Sequence, residues 1–190
     1  PVNYAIRNAV VDLTQFEDFD EVKQRFYPSS LLPFTFMGKT YALPERQLYN
    51  MLFYRKDILE ELELEVPNTW KDVYSMIPVL SRSNMTVGIP SSMSTYIMFL
   101  YQNGGQLYSE DGSKSMLDTE VALSMFKKWT DLFCSYKLPV EMDFSNRFRT
   151  GEMPIGIADF STYNTLSIFA PEIAGLWDMS VLPGTIKEDG

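Results

Sequence analysis

Ser124 and Lys127 fall in the S-x-x-K pattern of acyl-serine enzymes, where residue types and spacing could carry catalysis. The pair lies inside an amphipathic helical stretch, and the companion K-T-G and S-D-N patterns are missing, so the spacing reads as coincidence. Glu110-Asp111-Gly112 suggests a calcium loop but lacks the alternating oxygen ligands such a loop needs, which leaves a solvated turn. The acidic run Glu60-Glu61-x-Glu63-x-Glu65 reads as a water-facing helix end. Asn84-Met85-Thr86 is a glycosylation sequon, meaningful only on a eukaryotic secretory route. Neither a glycine-rich phosphate loop nor a dinucleotide fingerprint occurs. Histidine is absent from the sequence, which removes Ser-His-Asp and Cys-His catalysis, histidine zinc sites and imidazole bases. An enzyme built on this chain would work through carboxylates, lysine or a partner domain. No catalytic set, metal-ligating set or cofactor motif emerges.

A different chemistry is written at three junctions. Glu45-Arg46-Gln47-x-Tyr49 interrupts two apolar segments, directly after Pro44. Ile157-Ala158-Asp159-Phe160-Ser161-Thr162-Tyr163 hands a strand over to a helix, and Ile89-Pro90-Ser91-Ser92 does the same. Ligands of open α/β sheets gather at the carboxyl ends of strands. Aromatic faces beside hydroxyls and amides suit a sugar, whose C–H faces stack while its hydroxyls take fixed hydrogen bonds. Such junctions also occur without a ligand, so surface turns and a binding site both stay open at this point.

These junctions need elements to hold them. A chain of 190 residues, 45% hydrophobic, 22% charged and 14% aromatic, can bury a sizeable core in one or two domains. Its 25 acidic and 16 basic residues give a net charge of −9, the wrong sign for a nucleic-acid partner. No apolar run approaches the ~18–20 residues of a membrane span, and no signal segment is visible. The start at Pro1-Val2-Asn3 reads as a mature product or an internal piece. Cys134 has no partner for an internal disulfide and is expected as a small half-buried residue beside an apolar helix face.

Hydrophobic periodicity predicts a short helix around Phe19, Val22 and Phe26, then a hairpin from Phe34–Met37 to Tyr41–Leu43 through Gly38-Lys39. Asn50–Tyr54 is a strand, followed by an acidic helix to about Leu64. Thr69 and Asp72 form a capping box for a helix with Trp70, Val73, Ile77 and Leu80 inside, which Pro78 should kink or end. Thr86–Pro90 is a strand, and Ser91-Ser92 can cap a helix carrying Tyr96, Phe99 and Leu100 that stops at Gly104-Gly105. Thr119–Tyr136 is the clearest helix, with Val121, Met125, Phe126, Trp129, Leu132, Phe133 and Tyr136 in one stripe. A short helix at Asp143–Thr150 closes on Gly151, followed by a strand at Met153–Ala158, a helix at Phe160–Phe169 and a strand at Met179–Leu182. Strands alternating with helices make the class α/β.

The order of short motifs is also familiar. Gly38-Lys39-x-Tyr41-Ala-Leu-Pro44, Phe53-Tyr54-Arg55-Lys56-Asp57 and Pro67-x-Thr69-Trp70-x-Asp72 resemble the extracellular solute-binding proteins of family 1, the maltodextrin-type receptors of ABC importers. Asn103-Gly104-Gly105, Phe148-x-x-Gly151-Glu152-Met153-x-Ile155 and Leu182-Pro183-Gly184 continue the likeness across essentially the whole chain. Arg55 stands where the family usually has asparagine, Pro154 where alanine is usual, and Pro78 interrupts a usually continuous helix. These departures mark a divergent branch and leave the particular solute open.

The resemblance implies a periplasmic-binding-protein type II lobe, with a mixed sheet flanked by helices. Family chains are about twice as long, which implies a fragment. Residues 1–45 would be a remnant of the N-terminal lobe leading to the hinge, and 46–190 an incomplete C-terminal lobe. It implies a monomeric extracytoplasmic receptor, lipoprotein or periplasmic, that captures a carbohydrate between two lobes and delivers it to the ABC permease subunits without chemistry of its own. The ligand-binding candidates are Glu45, Arg46, Gln47 and Tyr49 at the lobe crossing, Ser92 at one strand end, and Asp159, Phe160 and Tyr163 at another. Phe160 and the tyrosines would stack on the sugar while the others form hydrogen bonds. Rival readings are a ligand-sensing domain of the same fold and a carboxylate-dependent hydrolase.

Overall fold

Chain contacts divide the protein into two units, Pro1–Leu48 and Tyr49–Gly190. The computed structural model describes residues 2–46 and 48–186. The first unit holds the short helices α1 (Val2–Ala5), α2 (Phe19–Lys23) and α3 (Pro28–Leu31), then the two-residue strands β1 (Thr35–Phe36) and β2 (Lys39–Thr40). Asp12 organises its entry: the carboxylate accepts from Thr14 N at 3.0 Å and Thr14 Oγ1 at 2.7 Å and meets Lys39 Nζ at 3.3 Å. The Thr14 hydroxyl, above all, holds that carboxyl below its ordinary range. Phe36 pairs with Lys39, leaving Met37 and Gly38 at φ 49° and 75°. Two left-handed central residues give the turn whose twist matches antiparallel strands. The hairpin is where the sequence places it, but its second strand is Lys39–Thr40 rather than Tyr41–Leu43. Tyr41 N closes the pairing on Phe34 O at 3.0 Å, and the chain then runs on as coil.

The second unit carries β3 (Asn50–Arg55), α4 (Lys56–Glu61), α5 (Trp70–Arg82), β4 (Val87–Gly88), α6 (Met93–Gln102) and α7 (Glu120–Cys134). It continues with α8 (Phe144–Thr150), β5 (Ile155–Asp159), α9 (Thr162–Phe169) and β6 (Trp177–Ser180). Its sheet has the order β4-β5-β3-β6. β4 and β5 are parallel, and β3 lies antiparallel to both β5 and β6. This is an α/β fold with a mixed sheet between helices. Alternation along β3 explains the layers. Leu52 packs with Trp70, Val73, Leu80, Phe99, Ala122 and Leu132 from α5, α6 and α7. Phe53, on the opposite side, packs with Phe144, Phe148 and Leu166 from α8 and α9. Gly156 lets β5 close on β4, since a Cβ there would stand 2.6 Å from the Gly88 carbonyl oxygen.

The helix boundaries follow local chemistry. In the expected capping box, Asp72 N donates to Thr69 Oγ1 at 3.2 Å and Thr69 N to Asp72 Oδ2 at 2.8 Å. Of the two outcomes expected at Pro78, a kink or an end, the end is corrected, since α5 runs on to Arg82. Pro78 is exposed, while Met76 and Leu80 on either side of it are buried, so packing of the inner face outweighs one missing backbone donor. The acidic helix stops at Glu61, short of Leu64, because Glu63 turns left-handed at φ 54° and Leu64 N returns to Leu59 O at 2.8 Å. Gly104 and Gly151 end α6 and α8 at φ 75° and 84°. Ser92 stands at the N-cap of α6, but its hydroxyl pairs with Ser94 Oγ at 2.6 Å instead of capping.

On α7 the buried line is Ala122, Met125 and Leu132, whereas Val121 and Phe126 of the expected stripe are exposed. Alanine at 122 lets α6 approach closely enough for Tyr96 Oη to donate to Ala122 O at 3.3 Å, and that contact centres the interface. Cys134 is exposed at the end of α7, not half-buried as its apolar neighbours suggested. The Tyr108–Ser115 turn is organised by Asp111, which accepts from Ser109 Oγ at 2.6 Å and Ser113 N at 3.1 Å. The Ser109 hydroxyl, first among these donors, brings its carboxyl down to about 2.

Candidate functional site

Asn50 pairs with Asp159, so the start of β3 and the end of β5 meet at one edge of the sheet. β4 runs parallel to β5, and its continuation Ile89–Ser92 reaches the same edge. The period of two then separates the side chains by flank. Tyr49 and Phe160 follow the parity of Met51 and Ala158, towards α8 and α9. Asn50 and Asp159 follow Leu52 and Ile157, towards α5, α6 and α7. One flank of this edge is aromatic and the other is polar.

Phe160 N donates to Tyr49 O at 2.9 Å, which extends the pairing one step past the strands. The two rings stack with centroids 5.0 Å apart and planes 22° apart. Tyr163 N donates to Phe160 O at 3.0 Å, and this turn brings the Tyr163 ring to 6.0 Å from Phe160, within 6° of parallel. Trp177 meets Tyr163 edge-on at 5.6 Å and reaches Phe53 at 5.9 Å. Tyr49, Phe160 and Tyr163 remain 47%, 36% and 42% exposed. Three near-parallel, partly exposed rings, joined through Trp177 to the core cluster around Phe53, form a ladder. Beyond Tyr163 and Trp177 lies a cavity of about 280 Å³ that Ser167, Asp178 and Met179 also line. That is just under the range of ~300–1,000 Å³ usual for complete ligand pockets.

The fold thus brings together Tyr49, Asp159, Phe160 and Tyr163. Asp159 Oδ1 accepts from Ser161 N at 2.8 Å and fixes the turn into α9. Ser92 is exposed on the same edge at the end of the β4 continuation. Glu45 and Arg46 are exposed in the coil that closes the first unit. Gln47 lies outside the described residues. Two residues join the site that sequence reasoning passed over. Asn50 could have been found by counting in twos back from Leu52. Trp177 depends on β6 pairing with β3 (Arg55 opposite Trp177), which no local pattern signals. Among the described residues no group of three His, Cys, Asp or Glu converges to hold a metal ion. No described helix is long and apolar enough to cross a membrane.

The fold and this edge define a class. The family model described as bacterial extracellular solute-binding protein matches residues 5–186. The chain belongs to that family. No curated protein matches it by sequence. Among solved structures, an ABC-transporter solute-binding protein of Thermotoga lettingae bound with α-D-tagatose is similar at TM-score 0.79 and 22% identity, covering 97% of this chain and 51% of that one. Maltose-bound MalE3 of T. maritima gives a TM-score of 0.76 at 24% identity, covering 92% of this chain and 48% of its own. The GacH receptor of Streptomyces glaucescens, described unliganded and with acarbose, gives 0.76 at 18% identity, covering 95% and 49%. These likenesses establish the periplasmic-binding-protein type II fold. The chain spans about half the length of the structures it matches. The family is one of extracellular binding proteins.

Proposed function

We propose that this chain belongs to the substrate-binding component of a bacterial ABC importer. In this reading it captures a carbohydrate at the Tyr49–Phe160–Tyr163 edge and delivers it to the permease. The observation that carries the reading is the ladder itself: three partly exposed, near-parallel rings at the edge where Asn50 pairs with Asp159. Sugar C–H faces lie on the rings while the carboxylate and amide take hydroxyls. Similar folds whose structures hold tagatose, maltose and acarbose support it. Residues 1–45 act as part of the N-terminal lobe and 46–190 as most of the C-terminal lobe, with Glu45, Arg46, Gln47 and Tyr49 at the crossing and Ser92 as an outlying contact. The receptor works outside the cytoplasmic membrane as a monomer, lipoprotein-anchored or periplasmic, and performs no catalysis.

Closure of two lobes over the solute by hinge motion is the mechanism. Calorimetric titration of the full-length protein with oligosaccharides tests it, with hydrolysis followed in the same samples. Saturable binding without turnover is expected. Turnover, or a Tyr49→Ala/Phe160→Ala variant binding as tightly as wild type, would overturn the reading. The 190-residue chain alone should bind more weakly than the full-length receptor, and equal affinities would refute the lobe assignment.

A further inference from the structure

Tyr163 belongs to two surroundings at once. Its ring stacks 6.0 Å from Phe160, within 6° of parallel, and the residue also walls the cavity of about 280 Å³ that Ser167, Trp177 and Met179 line. That volume approaches the size of a small-ligand pocket, so an aromatic ring fits inside it. Ser167 follows Tyr163 by four residues on α9 and shares its face of the helix. Side chains occupy discrete staggered wells, so the phenol can exchange the ladder for this space by a change of rotamer. Trp177 walls the same cavity and meets the Tyr163 ring at 5.6 Å with planes 66° apart, an arrangement aromatic pairs favour. The indole is itself held against Phe53 at 5.9 Å and Phe148 at 6.2 Å.

We infer that Trp177 is a positioning residue of the binding edge: its indole keeps Tyr163 on the ladder and out of the cavity. This role rests on the carbohydrate reading above and adds a residue that acts through Tyr163 rather than on the solute. A receptor whose rings are aligned only part of the time binds with its affinity reduced by that fraction. An aromatic contact of this kind biases the ring by about two- to tenfold. Leucine at 177 would stay apolar but remove that contact and widen the cavity. Phenylalanine at 177 would keep a ring against Tyr163. A larger side chain at 167 would fill the cavity and leave Tyr163 only the ladder.

Two readouts on the full-length receptor test this. The first needs no ligand: the nuclear Overhauser contact between the Phe160 and Tyr163 rings, assigned by its loss in Tyr163→Phe and Phe160→Leu. It should vanish in Trp177→Leu, persist in Trp177→Phe and return in Trp177→Leu/Ser167→Phe. The second is calorimetric affinity for maltose, tagatose and acarbose. Trp177→Leu should weaken binding about fivefold, Trp177→Phe less than about twofold, and Ser167→Phe should repair the Trp177→Leu loss. Both single variants lose packing on Phe53 and Phe148, so a purely structural role would lower their unfolding midpoints without separating their affinities. Trp177→Met replaces Trp177→Leu as the ring-free variant if the latter does not fold. A ring contact that survives in the ring-free variant, or an affinity loss that Ser167→Phe leaves unrepaired, overturns the positioning role and leaves the carbohydrate reading standing. If wild type binds none of the three sugars, the carbohydrate reading fails, and the ring contact alone decides whether Trp177 holds Tyr163 in place.

Discussion

The two ends of β3 are built to opposite specifications. At the Arg55 end the backbone N–H donates to Pro154 O at 2.7 Å, and the guanidinium grips Asp57 through Nε at 2.9 Å and Nη2 at 2.6 Å. Its remaining arm donates to the carbonyls of Phe148 and Arg149, at 3.2 and 3.1 Å, as α8 ends. Arg55 is 7% exposed. At the Tyr49 end a single backbone bond and a ring stack hold a residue that is nearly half exposed. The seven residues from Arg55 back to Tyr49 thus run from a closed polar clamp to a partly exposed aromatic residue. Buried polar atoms are tolerated when each has a partner, and aromatic surface stays wet where something else is to cover it. The contrast sets a polar clamp closed on itself against an aromatic face open to solvent.

Substitutions along the strand should separate the two ends. Phe53, fully buried between them and in contact with Phe144, Phe148 and Trp177, anchors the scale. Phe53→Ala is expected to cost about 3–5 kcal/mol in urea unfolding, the usual price of an emptied aromatic site. Arg55→Ala should cost roughly 2–3 kcal/mol, since it leaves the Arg149 carbonyl and a partly exposed carboxylate without their arginine donor while Phe148 O keeps Gly151 N, and it should leave sugar affinity in the full-length receptor almost unchanged. A large affinity loss there would erase the distinction between the ends. Tyr49→Ala and Phe160→Ala should reverse the balance, with about 1 kcal/mol or less in stability and about tenfold or more in affinity.

The smallest effect is the pH response of the clamp. The hydrogen bond from Arg55, chiefly, holds the Asp57 carboxyl below its ordinary range. Between its folded and unfolded titrations the unfolded chain therefore binds more protons. This contribution is complete above about pH 4 and is lost as pH falls through the lowered folded value. Asp57→Asn should flatten that acid limb in denaturation followed by circular dichroism. An unchanged slope would mean that the clamp does not titrate as a unit.

Much of this architecture was legible. β3, β5 and the capped start of α5 came from alternation and from Thr69 with Asp72, because such signals are local and need no knowledge of neighbours. The α7 stripe was legible only in part. Periodicity shows which side of a helix is apolar, but the partner decides how far coverage extends: Ala122 and Leu132 are buried, while Phe126, edge-on to Tyr96 of α6, stays half exposed. Pro78 does not end the helix because the rule concerns one hydrogen bond, whereas the helix is held by Met76 and Leu80 in the core. At the site, Phe160 and Tyr163 were readable as a strand-to-helix passage. Trp177 was not, since it arrives through long-range pairing of β6 with β3.

The ladder ends on an indole, and this gives the molecule an optical reporter of its own edge. Of three tryptophans, Trp70 is buried against Phe99 and Trp129 packs among Tyr96, Phe126 and Phe133. Trp177 alone of the three touches Tyr163, which continues through Phe160 to Tyr49. If the proposed solute lies on the rings, the emission of Trp177, fed by these tyrosines, should change on binding. Trp70 and Trp129 glow on as an internal reference.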